Sequence, residues 1–281
     1  MAYNETVSHG TPDFPFAIYR LNRNMPKYEM PYHFHTFLEL VRVKKGRLEI
    51  SLNNKFFTLN ENEYCVVNSE VIHGAKPFDC EYECLVFDLN FLKTNNKVCN
   101  DFIDNLLLHR IKINEKIADK SVTFVLDSLF DNFSDDKGKF VFETVGYVNL
   151  FLSKVIADKL YYNVSKFDEG KAGKNIDKLK KALRFINVNY KSEITLSDVA
   201  AVTGLSEKYF CAVFKSFTGK TPFEYILGLR AEKAATALLV SDSSVTDIAF
   251  DNGFNDLSYF IKTFKKKYGV SPAKYRHKDN N

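Results

Sequence analysis

The residues best suited to chemistry lie near the start of the chain. His33-Phe34-His35 is followed by Glu39, and a further histidine, His73, stands well downstream. In an extended segment, alternation puts His33, His35, Phe37, Glu39, Val41 and Val43 on one face. Three imidazoles and a carboxylate admit three readings. They suit a divalent transition metal, for which imidazole nitrogen and carboxylate oxygen are common ligands. They suit a pocket that hydrogen-bonds a small polar ligand. They also suit plain packing, with each ring satisfied by its neighbours. Arg20, Arg42 and Tyr64 are lesser candidates for the same pocket. No nucleophile, acid–base pair or cofactor loop accompanies the histidines, so neither catalysis nor a bound cofactor is expected.

A second set of useful residues is basic and lies at the other end. The chain carries 39 Lys+Arg against 35 Asp+Glu; from Ile176 onward the balance is 17 against 11, so the positive excess sits in the C-terminal third. That favours a polyanionic partner without specifying it. The same third is internally repeated. Val199-Ala200 and Gly204 return as Ile248-Ala249 and Gly253. Tyr209-Phe210 and Phe214-Lys215 return as Tyr259-Phe260 and Phe264-Lys265. Gly219, Pro222 and Tyr225 return as Gly269, Pro272 and Tyr275. The first block is offset by 49 residues and the others by 50, so the second copy carries an extra residue after its glycine.

Each copy reads as a helix-turn-helix. Thr195 with Asp198, and Ser244 with Asp247, place a carboxylate three residues after a hydroxyl, as in a capping box. Ala200 and Ala249 leave room for a neighbouring helix, and Gly204 and Gly253 fall where a left-handed residue ends one. Pro222 and Pro272 mark stops beyond the second helix. In that helix of the first copy, Phe210, Val213, Phe214 and Phe217 point inward, opposite Lys208, Cys211, Ala212 and Lys215. In the second copy Phe260, Phe264 and Tyr268 are the inward set, opposite Ser258, Ile261, Lys262 and Lys265. Ser206 and Asn255, in the preceding turns, join the outer sets. Such faces read base edges in a major groove, with Lys266 and Lys267 suited to phosphates. Cys211 and Ala212 offer a base edge little beyond contact with a thymine methyl, so the first copy leans on Lys208 and Lys215. Arg230 to Val240 reads as the helix joining the units.

The elements that position the histidines are strands. Residues from about Phe14 to Leu92 are β-branched and aromatic, with alternating stretches at Leu38 to Val43, Leu48 to Leu52, Tyr64 to Val67 and Cys84 to Leu89. Gly46 and Asn53-Asn54 fall where hairpin turns are expected. Several short strands in close succession suit a small sandwich or barrel. The period then changes to three and four. Phe102, Ile103, Leu106 and Leu107 mark one helix; Val122, Val125, Leu126, Leu129 and Phe130 a second; Val145, Val148, Leu152, Val155, Ile156 and Leu160 a third. Ser165 to Asn175 is polar, contains glycine and reads as a linker.

A length of 281 residues suits two domains. Met1 to Phe16 lacks a basic region followed by an apolar core, so no secretory leader is expected. No stretch approaches the roughly 18 apolar residues a membrane span requires. Five cysteines (Cys65, Cys80, Cys84, Cys99 and Cys211) without metal-ligand spacing suit reduced thiols and a cytoplasmic location.

Ile248 to Arg276, ending in Gly-x-x-Pro-x-x-Tyr-Arg, resembles the signature of AraC/XylS-type transcription regulators. The resemblance spans about Ile176 to His277 and implies two helix-turn-helix units, bridged by a long helix, on one face of double-stranded DNA. Ala212 and Lys262 depart from the arginine or similar residue often found there, which weakens bidentate guanine readout. His33, His35, Glu39 and Gly46 resemble the first cupin motif, although Lys27 stands where the family has an upstream glycine. The second motif is partial, with His73 in place but Asn62 and Asn68 where Gly and Pro are usual. In such regulators a cupin-like barrel commonly binds an effector, often a sugar or related metabolite, and the helices after it commonly form a homodimer. RNA polymerase is likewise implied as a partner, for an activator or a repressor.

The expected layout is therefore a two-domain chain: an N-terminal cupin-like β-barrel plus helices, and a C-terminal all-α domain with two helix-turn-helix units. Residues 1–95 form the effector barrel, 96–164 a helical dimerisation segment whose Val145–Leu160 stripe faces a partner or its own barrel, 165–175 a linker and 176–281 the DNA-binding domain. The alternative is a metal-dependent cupin enzyme fused to a DNA-binding domain.

Overall fold

The computed structural model describes residues 9–133, 140–164 and 171–276. Described residues up to 173 form one compact unit and those from 174 a second. Among them no helix is long and apolar enough to cross a membrane.

The first unit is built on β1 (Phe16–Leu21), β2 (Met30–His33), β3 (Leu38–Leu52), β4 (Lys55–Asn60), β5 (Tyr64–Val67) and β6 (His73–Phe87). Two short strands missed by the helical reading follow, β7 (Ile111–Ile113) and β8 (Lys116–Ile117), and a third, β9 (Tyr161–Asn163), pairs with β7. The main sheet is antiparallel, in the order β1-β6-β3-β5-β8, with β2 added to β6 and β4 to β3. It is barrel-like but open, as a sandwich or cupin-like sheet allows: among the described residues β1 and β8 remain edges.

Asn53 and Asn54, both at positive φ, make the tight turn from β3 to β4. Gly46 does not make a turn. β3 runs through it against β6, with the register shifting between Val43 and Arg47. Gly46 has φ +76°, and a Cβ there would lie 2.1 Å from the Asp79 carbonyl oxygen. This bulge inserts a residue and switches the alternation. Val41 and Val43 before it, and Leu48, Ile50 and Leu52 after it, therefore line one core.

The opposite face of the sheet packs on α1 (Lys97–Leu107), α2 (Lys120–Asn132) and α3 (Phe140–Ala157). Leu38, Leu40 and Phe87 share a core with Ile103, Leu126, Phe130, Val148 and Phe151. The core thus runs across residue 95, and 96–164 is not a separate layer. Val148, Leu152 and Val155 are buried in it, whereas Ile156 is exposed. Of the expected linker, residues 165–170 lie outside the described residues, and 171–175 already belong to α4 (Lys171–Asn189).

The second unit continues with α5 (Leu196–Thr203), α6 (Glu207–Thr218), α7 (Pro222–Val240), α8 (Val245–Asp251), α9 (Leu257–Tyr268) and α10 (Pro272–Arg276). The joining helix α7 starts eight residues before Arg230, because Pro222 is its first residue, behind a Thr221–Glu224 capping box. Pro272 likewise opens α10. Both prolines start helices, since a fixed φ and a missing N–H suit the first turn.

Candidate functional site

The second helices of the two repeats, α6 and α9, each bury one face. Phe210, Val213, Phe214 and Phe217 are buried on α6, and Phe260 and Phe264 on α9; Tyr268 is half-buried. Outward from α6 stand Lys208, Ala212 and Lys215, and from α9 Ser258, Ile261, Lys262, Lys265 and Lys266; Ser206 and Asn255 are exposed in the turns before them. Tyr209 and Tyr259 are also half exposed, at matching positions. Sequence reasoning passed over both. The signal was their recurrence beside an inward phenylalanine.

Two expected members of the basic face lie elsewhere. Lys267 is turned inward: its Nζ donates to the Gly228 carbonyl at 3.0 Å and lies 3.7 Å from the buried Glu232 carboxylate on α7. Cys211 is half-buried, lining a small apolar cleft with Ile194, Val199, Phe223 and Ile226. The two helix starts also differ. Asp256 caps α9 by accepting from the Tyr259 N–H, whereas Ser206 makes no side-chain cap on α6. Each helix start nevertheless carries a carboxylate that repels a phosphate there, Asp256 at the cap of α9 and Glu207 in the first turn of α6.

The two helix-turn-helix repeats are fixed to each other. Arg230 on α7 donates from Nε to the Tyr190 carbonyl and from Nη2 to the Ser192 carbonyl, both at 2.7 Å. Gly253 presses on the same segment, where a Cβ would come within 2.6 Å of the Tyr190 oxygen. α6 and α9 are therefore presented as a pair.

In the first unit the histidine cluster assembles, although not on one strand. His33 ends β2, His35 sits in the connection to β3, Glu39 lies on β3 and His73 starts β6. The Nε2 atoms of His35 and His73 both lie 3.1 Å from Glu39 Oε2. Burial alone would raise the Glu39 carboxyl, but His73 and His35 outweigh it and hold the group well below the usual carboxylate range. Nearby, Cys84 is buried on the same face, and burial next to Glu39 pushes its thiol far up. His9 stacks edge-on to His35, with ring centroids 5.6 Å apart, and bonds Tyr19 Oη at 2.9 Å. No local spacing pointed to either residue.

Arg20, Arg42 and Tyr64 do not join this cluster. Tyr64 packs in the helix-side core, whereas its neighbour Cys65 packs in the other. The Tyr64 hydroxyl donates to Asp127. Arg42 donates to Glu83 at 2.6 Å and Asp131 at 2.7 Å, over the Phe130 ring. Burial opposes its charge, but Asp131 and Glu83 overcome that and raise its affinity for the proton. Arg20 reaches Glu83 and the Phe133 carbonyl. This network seats α2 on the sheet. Of the cupin departures, Asn62 takes φ +62° and so supplies the glycine-like turn, and Asn68 holds Ile113 of β7 by paired amide bonds.

A sheet-based domain followed by a duplicated helix-turn-helix pair defines a DNA-binding transcription regulator. The family model described as a helix-turn-helix domain matches residues 199–278. Along the chain, the transcriptional regulator YdeC of Bacillus subtilis is 26% identical over 97% of this chain and 95% of its own length. The activator RhaS of Mannheimia succiniciproducens is 26% identical over 91% and 92%. The regulatory protein PocR of Salmonella typhimurium is 38% identical over 37% of this chain and 34% of its own. The chain is therefore similar over nearly its whole length to helix-turn-helix transcription regulators, and its residues 199–278 match a helix-turn-helix domain.

Proposed function

We propose that this regulator reads adjacent major-groove segments with α6 and α9, and that a small ligand held at His33, His35, Glu39 and His73 controls it. The observation that carries the DNA-binding half is the pair of matched helices, each with phenylalanines inward and tyrosine and lysines outward, locked together through Arg230 and Gly253. Lys262 and its neighbours read bases; Lys208 and Lys215 hold phosphates. Five exposed lysines on α6 and α9 correspond to a log–log salt slope of about −4 if each neutralises one phosphate.

The ligand-binding half is supported by four convergent polar groups in an otherwise apolar core. The sugar-like class expected from the family resemblance enters only in its broader form, a small ligand. Homodimerisation belongs to the same proposal, through the outer face of α3, where Phe142, Leu150 and Ile156 are exposed. The name of RhaS as a transcriptional activator supports positive control; action through RNA polymerase, in the cytoplasm, belongs to the same proposal. The relatives matched along the chain are regulators, so the enzyme alternative is set aside.

The test is binding of the full chain to double-stranded DNA from upstream of its own gene. Binding that falls steeply with salt is expected; none even at low salt refutes the reading.

A further inference from the structure

We infer that an open apolar cleft in the first helix-turn-helix repeat is the docking site for a basic amphipathic helix of a partner protein. That helix seats one leucine, isoleucine or phenylalanine side chain in the cleft, between lysines or arginines. The cleft walls belong neither to the lysine face of α6 nor to the histidine cluster.

Ile194, Leu196 and Val199 line the cleft from the α5 side, Phe223 and Ile226 from α7, and Cys211 from α6. Its volume is about 110 Å³. An apolar cavity of about 150 Å³ takes a benzene, so this one suits a single aliphatic side chain or phenyl ring. Phe223 is 61% exposed at its edge, a large apolar side chain that the packing of the domain leaves largely unused.

The duplication supplies an internal control. Where the first copy has Ile194, Phe223 and Ile226, the second has Ser243, Ala273 and Arg276. There Arg276 donates from Nη2 to the Ser243 carbonyl, so a polar side chain of the chain itself spans the equivalent place. All three differences make the first copy more apolar, and Ile226 lacks the donor that Arg276 uses. The helix-turn-helix fold does not require this, since the second copy buries Phe260 and Phe264 as the first buries Phe210 and Phe214. Apolar side chains gathered at one exposed place mark a contact site.

Charge selects the occupant. Thr195 and Thr221 also line the cleft, one next to α5 and one next to α7. Thr195 Oγ1 lies 2.7 Å from Asp198 Oδ2, and Thr221 Oγ1 lies 2.9 Å from Glu224 Oε2. Hydrogen bonds from the Thr195 side chain, and from the Thr221 backbone, hold both carboxyls below their ordinary values, so both are ionised near neutral pH. Lys215 offsets part of the Glu224 charge. Carboxylates on both sides repel nucleic acid and anionic ligands and attract lysine or arginine. An apolar side chain flanked by cations is what a basic amphipathic helix presents, and such helices lay their apolar face into grooves of this kind.

The experiment uses the full chain and a short fluorescein-labelled helical peptide with leucines three and four residues apart, flanked by lysines. Anisotropy should show saturable binding that weakens with salt. A companion peptide with glutamates in place of the lysines should not bind. Phe223→Ser, at an exposed position, should weaken binding of the lysine peptide at least about tenfold and leave promoter binding unchanged. Ile226→Arg, which copies the second repeat, should do the same; Phe223→Ser guards against misfolding at that buried position. No binding of the lysine peptide, equal binding of both peptides, or unchanged binding by folded Phe223→Ser overturns the inference. Loss of promoter binding in Phe223→Ser would assign the cleft to DNA, and a dimer that Phe223→Ser dissociates would assign it to a second copy of the chain; either result overturns it too.

Discussion

Lys267 on α9 is turned inward and lies 3.7 Å from the buried Glu232 carboxylate of α7. Its neighbours Lys265 and Lys266 are exposed. Three consecutive lysines therefore divide between two tasks. Lys267→Ala should remove a charge partner of the buried Glu232 carboxylate and cost about 3 kcal/mol of stability. Lys265→Ala should leave stability unchanged and reduce the magnitude of the salt slope of DNA binding by about 1. Denaturant unfolding and salt-titrated binding of both variants check this.

The two recognition helices should fail in different ways. Lys262→Ala is expected to relax sequence preference, with a loss of about 1–3 kcal/mol on the best site and little on others. Lys215→Ala is expected to weaken binding evenly across sequences. Competition binding on a panel of mutated sites measures both; equal loss on every sequence for both variants would reject this division of labour.

Arg42 anchors α2 and should matter for stability rather than for ligand binding. Removing its guanidinium leaves Glu83, largely buried, without its closest charge partner. Arg42→Leu should cost about 3 kcal/mol in unfolding experiments. Unchanged stability would contradict the role of Arg42 in seating α2 on the sheet.

The matching glycines of the repeat should not be equivalent. At Gly204, φ is +65° and a Cβ would meet nothing within 4 Å, so alanine should cost about 1 kcal/mol. At Gly253, φ is +84° and a Cβ would collide with the Tyr190 and Lys191 carbonyl oxygens. Gly253→Ala should cost more than about 2 kcal/mol and also weaken DNA binding, because that contact sets one unit against the other.

Acid should loosen the caps of α5 and α7. Hydrogen bonds from Thr195 hold the Asp198 carboxyl below its ordinary value, and bonds from Thr221 do the same for Glu224. A depressed folded value means the stabilisation is whole above the unfolded-state value, near pH 4. It is then lost as pH falls through the lower folded values. The stability gap between the parent chain and Asp198→Asn, measured by denaturation across pH, should close over that window.

The two helix-turn-helix units were legible from residue order, because their signals are local. Capping hydroxyls, terminal glycines and phenylalanines three and four apart act within a few turns, and each recurs at a fixed offset. The histidine motif was equally visible as a set of residue types. Its geometry was not, since His35 leaves the strand and His73 joins from β6 through pairings dozens of residues away. Gly46 shows why. One local sequence suits a hairpin turn or a bulge, and only the long partner strand β6 decides between them. The same holds for Lys267, whose inward turn depends on Glu232, 35 residues earlier. Local chemistry in the sequence determined which elements form and which residues are available. Tertiary packing decided which of those residues meet, because burial and long-range pairing depend on partners that sequence spacing does not reveal.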